Sequence, residues 1–142
     1  MTLFLIHDKE SGRIQHASKV YAPTDEYVNM LNEHGHTHVK VRTSRLVSPD
    51  EWYIRNMRPR IRPRMPVVVS RTTIGAGESD SVVFTGLPHG VQFKAFMGGF
   101  NFQDERIDGT ELEFSVPVPC ICQVSFELWP YQTFRTEIEV IG

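Results

Sequence analysis

The chain has 142 residues, enough for one ordinary domain or two small ones, and 40% of them are hydrophobic. No run approaches the roughly 18 apolar residues of a membrane helix, and the N-terminus lacks the basic segment of a signal peptide. The net charge of −2 excludes the uniformly basic balance of a typical nucleic-acid-binding protein. We therefore expect a soluble protein that stays in a cytoplasm or is assembled there into something larger.

The first 54 residues predict a small unit of strands with one helix. Residues 2–7 and 14–21 read as two strands joined by a turn at Gly12, which together form a hairpin. A helix is predicted from Pro23 to Gly35, since proline and acidic residues favour a helix start and glycine favours its end. Residues 37–43 and 52–54 read as further short strands. The result is a ββαβ unit with a thin core.

Five arginines and two prolines fall within residues 55–64, and this stretch separates two parts of different character. It predicts an extended basic linker over 55–65, because proline disfavours regular structure and holds the chain extended. If the segment is extended, Arg58, Arg60, Arg62 and Arg64 all point to one side.

Residues 66–142 predict an all-β domain. Six or seven short segments alternate apolar and polar residues, and glycine or proline bounds each of them. The clearest alternation places Cys120, Cys122, Val124, Phe126 and Leu128 on one strand face. This spacing of short strands is typical of a small β-sandwich.

The charge is divided between the two parts. Residues 1–64 hold eleven Lys or Arg and seven Asp or Glu, a balance of +4, whereas residues 65–142 hold four and ten, a balance of −6. Such polarity favours assembly with oppositely charged surfaces, including other copies of the chain.

No sequence pattern indicates catalysis, because the chain contains no nucleophile motif, no zinc-protease motif and no phosphate-binding loop. His36 and His38 would share one strand face but lack a third ligand at a diagnostic spacing, and the helix end accounts for His34. Solvent-exposed or half-buried histidines are therefore the favoured interpretation over a metal site. Asp104, Glu105 and Asp108 fit an acidic hairpin tip better than a calcium site. Cys120 and Cys122 are interpreted as reduced thiols in a strand, with an intersubunit disulfide or a metal as the alternatives. We predict no enzyme activity and no cofactor.

Two other surfaces have a predicted binding role. The arginine run fits a linker, a strap that docks on a partner's carboxylates, or a phosphate-binding segment. We favour the first two, and nucleic acid is the less favoured partner. Trp129 and Tyr131 could stack on a sugar, which would make the second part a carbohydrate- or receptor-binding module.

Short segments in this order resemble a known family. The chain reads Pro-Asp-Glu-Trp-Tyr-Ile at 49–54, Arg-Pro-Arg-Met-Pro at 62–66, Thr-Ile-Gly-Ala-Gly-Glu-Ser-Asp at 73–80 and Thr-Gly-Leu-Pro at 85–88. This layout resembles small tail-region proteins of tailed bacteriophages, in which such segments lead into an immunoglobulin-like β-sandwich. Where that family usually has an Ala-Asp-Gly turn, this chain has Ala76-Gly77-Glu78. The resemblance implies a virion structural role and supplies no catalytic residues.

The sequence thus predicts an α+β chain with a ββαβ unit at 1–54, a basic linker at 55–65 and an immunoglobulin-like sandwich at 66–142. Its predicted function is that of a virion protein of the tail, baseplate or fibre attachment, assembled in the host cytoplasm. Its predicted partners are other virion proteins and copies of itself, bound through Arg58, Arg60, Arg62 and Arg64. A tail-fibre assembly chaperone and a carbohydrate-binding module are the alternatives.

Overall fold

The structure, a computed structural model, describes residues 2–20, 25–42 and 47–142 and divides the chain into two compact units, 1–62 and 63–142. Strands predominate, and the described residues contain one short helix. The described part of the chain therefore has a mostly-β fold. The predicted helix start at Pro23 lies outside the described residues.

The first unit is built around a three-stranded antiparallel sheet. Its strands, in the order β2-β1-β3, are β1 (Thr2–His7), β2 (Ile14–Val20) and β3 (His38–Arg42). The helix α1 (Asp25–Glu33) lies between β2 and β3 in the chain. The predicted strand–strand–helix–strand order thus appears, because each element has the periodicity that its sequence indicates.

The two faces of this sheet have different coverings. On one face Phe4 packs edge-on against Tyr27 of α1, with ring centroids 4.9 Å apart, and the Tyr27 hydroxyl donates to Ser18 Oγ at 2.9 Å. The other face carries the alternate residues of β1, which are buried in a small cluster. Its members are Leu3, Leu5, Ile14, Val39 and Ile54.

A separate hairpin completes the first unit. It is formed by β4 (Trp52–Arg55) and β5 (Arg58–Ile61), which pair antiparallel. The sequence predicts an extended linker at 55–65. In the structure, residues 55–62 instead belong to the first unit and residues 63–65 to the second. Pro59 is tolerated because the ladder has only two strands, so its missing N–H lies on an edge.

The second unit contains a five-stranded and a three-stranded sheet. The larger has the order β10-β9-β12-β13-β7, and the smaller has the order β11-β8-β6. The strands are β6 (Val68–Val69), β7 (Thr73–Gly75), β8 (Val82–Thr85), β9 (Gln92–Met97), β10 (Phe100–Arg106), β11 (Leu112–Phe114), β12 (Cys120–Glu127) and β13 (Phe134–Ile141). All neighbours pair antiparallel except β13 and β7, which are parallel.

The two sheets of the second unit share one hydrophobic core. Phe84 of β8 meets Phe126 of β12 with ring centroids 5.0 Å apart, and Phe114 of β11 meets Phe93 of β9 at 5.5 Å. These four aromatic rings join residues of one sheet to residues of the other. The alternation that predicted the β12 stripe is confirmed at Cys122, Val124 and Phe126, which are buried.

Turn residues fix the path of the second unit. Gly86 has φ +72°, and a Cβ there would meet the Pro66 carbonyl, so only glycine fits. Asp80 accepts from the Gly75 N–H at 2.8 Å, and its ion pair with Arg71 closes the 71–81 segment. The Gly75 and Ser81 N–H groups and Arg71 outweigh desolvation and lower the pKa of Asp80.

Candidate functional site: an arginine face on the β4–β5 hairpin

The β4–β5 hairpin has a tight two-residue turn. Asn56 and Met57 both have positive φ, 53° and 60°, which is the geometry of a type I′ turn. This turn sets the register, so that Arg55 pairs with Arg58, Tyr53 with Arg60, Ile54 with Pro59 and Trp52 with Ile61. The register decides which side chains share a face.

Opposed residues of an antiparallel pair project to the same side of the ladder. One side of the hairpin therefore holds Ile54, which is 5% exposed in the core of the first unit. The opposite side holds Tyr53, Arg55, Arg58 and Arg60. Because Ile54 is buried, the arginine side is turned away from that core.

The first hairpin of the chain anchors this one. The Ile54 N–H donates to the Gly12 carbonyl at 2.8 Å, and Arg13 forms an isolated antiparallel bridge with Tyr53. The bridge places Arg13 on the same side as Tyr53. A Cβ on Gly12, whose φ is +75°, would meet the Ile54 carbonyl, so the approach of the two hairpins requires glycine.

Arg62 closes the base of the hairpin. Its N–H donates to the Glu51 carbonyl at 2.6 Å, and its Nη1 donates to the carbonyls of Asp50 at 3.0 Å and Pro49 at 3.4 Å. Partial burial lowers the pKa of Arg62, the nearby Arg13 charge adds to that effect, and Asp50 opposes it. The influence of Arg13 is consistent with both arginines lying on the same side.

We call Arg13, Tyr53, Arg55, Arg58 and Arg60 the arginine face. All four of its arginines are exposed, and within the described part of the chain Arg55, Arg58 and Arg60 have no ion-pair partner. Arg55 lies directly opposite Arg58, and like charges in that position destabilise a ladder. A cluster of cations that costs stability within its own unit is best suited to an anionic partner.

The four arginines predicted as a single row have different surroundings. Arg58 and Arg60 lie on the arginine face, whereas Arg62 is half-buried against backbone carbonyls. Arg64 belongs to the second unit, where it forms an isolated bridge with Gln132. Sequence reasoning missed Arg55 and Arg13. Alternation across the turn could have indicated Arg55, but Arg13 joins through a contact between distant residues that no local pattern signals.

The predicted sugar-stacking pair lies in the second unit. Trp129 and Tyr131 are both half-buried, and Tyr131 packs against the hydrophobic core. The Tyr131 ring therefore has less surface to offer a ligand than a fully exposed aromatic ring. The arginine face is the stronger candidate for a binding surface.

Histidines and cysteines were the other sequence candidates. His36 and His38 line an open cavity of about 430 Å³, together with Lys9, Asn32, Gly35 and Thr37. Across residues 2–20, 25–42 and 47–142, no three potential ligand side chains converge on a metal position.

The Cys120 and Cys122 sulfurs lie 3.4 Å apart. Burial is the larger cause, and the neighbouring Cys120 thiol the smaller one, of a rise in the pKa of Cys122 to about 12. Cys122 therefore stays a thiol near neutral pH and is a poor nucleophile.

Comparison of the chain with protein-family models, with curated proteins and with solved structures finds no match. No helix in the described residues has the length and apolar character needed to cross a membrane.

Proposed function

We propose that this protein is a structural component of a bacteriophage virion, in the tail, baseplate or fibre attachment, and that it acts by docking on other proteins rather than by catalysis. The observation that carries this proposal is the arginine face. Three exposed arginines, for which the described residues supply no ion-pair partner, lie on a hairpin that is anchored through backbone hydrogen bonds. A positioned group of guanidinium ions suits bidentate contacts with carboxylates.

The charge of the two units favours a protein partner. Residues 1–62 hold ten basic and seven acidic residues, whereas residues 63–142 hold five and ten. A nucleic-acid-binding chain would be expected to carry a basic excess overall. An assembly protein instead benefits from opposite charges on different parts of each copy.

We further propose that the second unit is an immunoglobulin-like β-sandwich. The order β10-β9-β12-β13 corresponds to C′-C-F-G of that fold, and β11-β8-β6 corresponds to E-B-A. In antibody domains a disulfide joins strands B and F. Here the corresponding strands β8 and β12 are joined by the contact of Phe84 with Phe126. The strand order and this central contact both support the assignment.

The segments that carry the bacteriophage resemblance have structural roles in this unit. Met65 is buried in its core, Gly86 permits the close approach of Pro66, and Asp80 holds the Gly75 N–H. These are roles that fix the layout of a sandwich. They support a resemblance of architecture, which is the kind of similarity that the short segments imply.

The proposal is tested on particles of the phage that encodes the chain. Mass spectrometry of purified virions is expected to detect the protein at a constant ratio to the other virion proteins. Detection in the lysate but not in particles would contradict the structural role and favour an assembly chaperone.

A second arm tests the arginine face. The variant with Arg58→Glu and Arg60→Glu is expected to fold but to be depleted from particles. The matched control is Lys40→Glu with Arg42→Glu, two exposed basic residues at the same spacing on β3, and it is expected to be incorporated normally. Equal incorporation of both variants would show that the arginine face does not dock.

A further inference from the structure

The partner of the arginine face can be sought on the chain itself, because the second unit has an excess of carboxylates. Several of them already have contacts within that unit. Asp80 pairs with Arg71, Glu127 lies 3.6 Å from Lys94, and Glu113 accepts from Ser81 Oγ. Asp104 and Glu105 accept from glutamine side chains. These groups have less to gain from an arginine of another molecule.

Glu137 and Glu139 differ from those carboxylates. They are exposed on β13 and alternate with the buried Ile138 and Val140, so both project from the outer face of the five-stranded sheet. Among the described residues neither glutamate side chain has a hydrogen-bond or ion-pair partner.

Exposed apolar side chains border these glutamates. Ile121 of β12 pairs with Glu139 and is 51% exposed, and Ile141 is 49% exposed. We call Glu137, Glu139, Ile121 and Ile141 the acidic patch. Carboxylates beside apolar surface suit protein contact, because burial of the apolar groups adds to the electrostatic attraction.

The two surfaces have matching spacings. Arg58 and Arg60 are two residues apart on β5, and Glu137 and Glu139 are two residues apart on β13. Both pairs are therefore separated by about 6.6–6.8 Å along an extended strand. Two guanidinium groups of one surface can meet two carboxylates of the other at the same time.

We propose that the arginine face of one copy docks on the acidic patch of a second copy, with Arg58 and Arg60 against Glu137 and Glu139. This rests on the proposed assembly function and names its partner. The two surfaces differ, so the contact is head-to-tail, and each copy keeps one free surface of each kind. The copies therefore form a ring or an open chain, whose stability falls as salt screens the charges.

The test reverses the charges of each surface in turn and measures self-association by sedimentation at low salt. Wild-type protein is expected to self-associate with increasing concentration. Arg58→Glu with Arg60→Glu, or Glu137→Arg with Glu139→Arg, is expected to weaken association at least about tenfold, because like charges then face each other. An equimolar mixture of the two variants is expected to restore association, since every contact between unlike variants again joins opposite charges.

Matched controls are available in each unit. Lys40→Glu with Arg42→Glu changes the charge of the first unit equally, and Glu111→Arg with Glu113→Arg does so in the second unit. Both controls are expected to associate as the wild type does. Circular dichroism of every variant verifies that the charge changes leave the fold intact.

The inference is overturned by a monomeric wild type, by a mixture that fails to recover, or by a loss of association in the Glu111/Glu113 variant only.

Fluorescence anisotropy with a single-stranded oligonucleotide tests the competing partner. Tight oligonucleotide binding that is lost in the Arg58/Arg60 variant would show that the arginine face binds phosphates instead of the acidic patch. If that variant is absent from particles while self-association is unchanged, the arginine face docks on another virion protein. The proposed function would then stand without this inference.

Discussion

Gly12 shows how one residue positions the candidate site. It has φ +75°, accepts a hydrogen bond from the Ile54 N–H, and leaves no space for a Cβ beside the Ile54 carbonyl. The sequence predicted a glycine turn here from the surrounding polar residues. It could not predict the close approach of the second hairpin, because that contact joins residues more than 40 positions apart.

Replacing Gly12 with alanine is therefore expected to be costly. The left-handed backbone costs an alanine about 1 kcal/mol, and displacement of the Ile54 carbonyl adds the loss of a backbone hydrogen bond, for a total of about 3 kcal/mol. Denaturant unfolding followed by circular dichroism measures this free energy.

Gly35→Ala is the matched control for Gly12→Ala. Gly35 has nearly the same φ, +70°, and no atom of the described residues lies within 4 Å of the position that a Cβ would take. Only the backbone strain remains, about 1 kcal/mol. If the two variants lost equal stability, the contact between Gly12 and Ile54 would contribute nothing to the anchoring of the arginine face.

At the scale of elements, the two hairpins of the first unit differ in how far the sequence predicts them. The first has a recognisable turn, in which Asp8 Oδ1 accepts from the N–H groups of Glu10 and Ser11 at 2.9 and 2.8 Å. The second turns at Asn56-Met57. Asparagine favours positive φ but methionine does not, so the usual Asn-Gly signal of a type I′ turn is absent. For the arginine run the sequence predicts a linker rather than a strand.

This mismatch makes Met57→Gly a stabilising substitution. Glycine removes the cost of holding a side chain at φ 60°, which we expect to raise the free energy of unfolding by about 1 kcal/mol. Met57 is 62% exposed, so little buried contact is lost. Thermal unfolding measures the change, and Met57→Ile is the opposite control because a β-branched residue tolerates positive φ least. A lower melting temperature for Met57→Gly would mean that the Met57 side chain contributes more than its backbone strain costs.

At the scale of the whole chain, the division into two parts is easier to predict from the sequence than the arginine face. Three features indicate the organisation: the alternation of apolar residues, the change of composition near residue 60 and the charge difference between the two parts. Each is summed over many residues, so a wrong assignment of any one residue changes the prediction little. The division at 62 and 63 lies inside the predicted linker of 55–65. The arginine face instead depends on a single turn and one bridge, and a one-residue change in register would turn its side chains toward the opposite side.

The two units also differ in how much core each can form by itself. Among the residues that the structure describes, the second unit buries a cluster of sixteen hydrophobic residues, whereas the cluster that holds Ile54 in the first unit has five. Since burial of apolar surface is the main source of stability, we expect a fragment of residues 63–142 to fold alone. Its thermal unfolding should be cooperative, and near-ultraviolet circular dichroism should show a fixed environment for Trp129.

The fragment of residues 1–62 is the comparison for that experiment. With its smaller core it is expected to unfold at a lower denaturant concentration than the 63–142 fragment, because less apolar surface compensates the loss of chain entropy. The arginine face adds repulsion between Arg55 and Arg58, so added salt should stabilise the 1–62 fragment more than the other. A 1–62 fragment that salt leaves unchanged would show that these charges do not oppose folding, and the arginine face would then lose the energetic argument that assigns it to a partner.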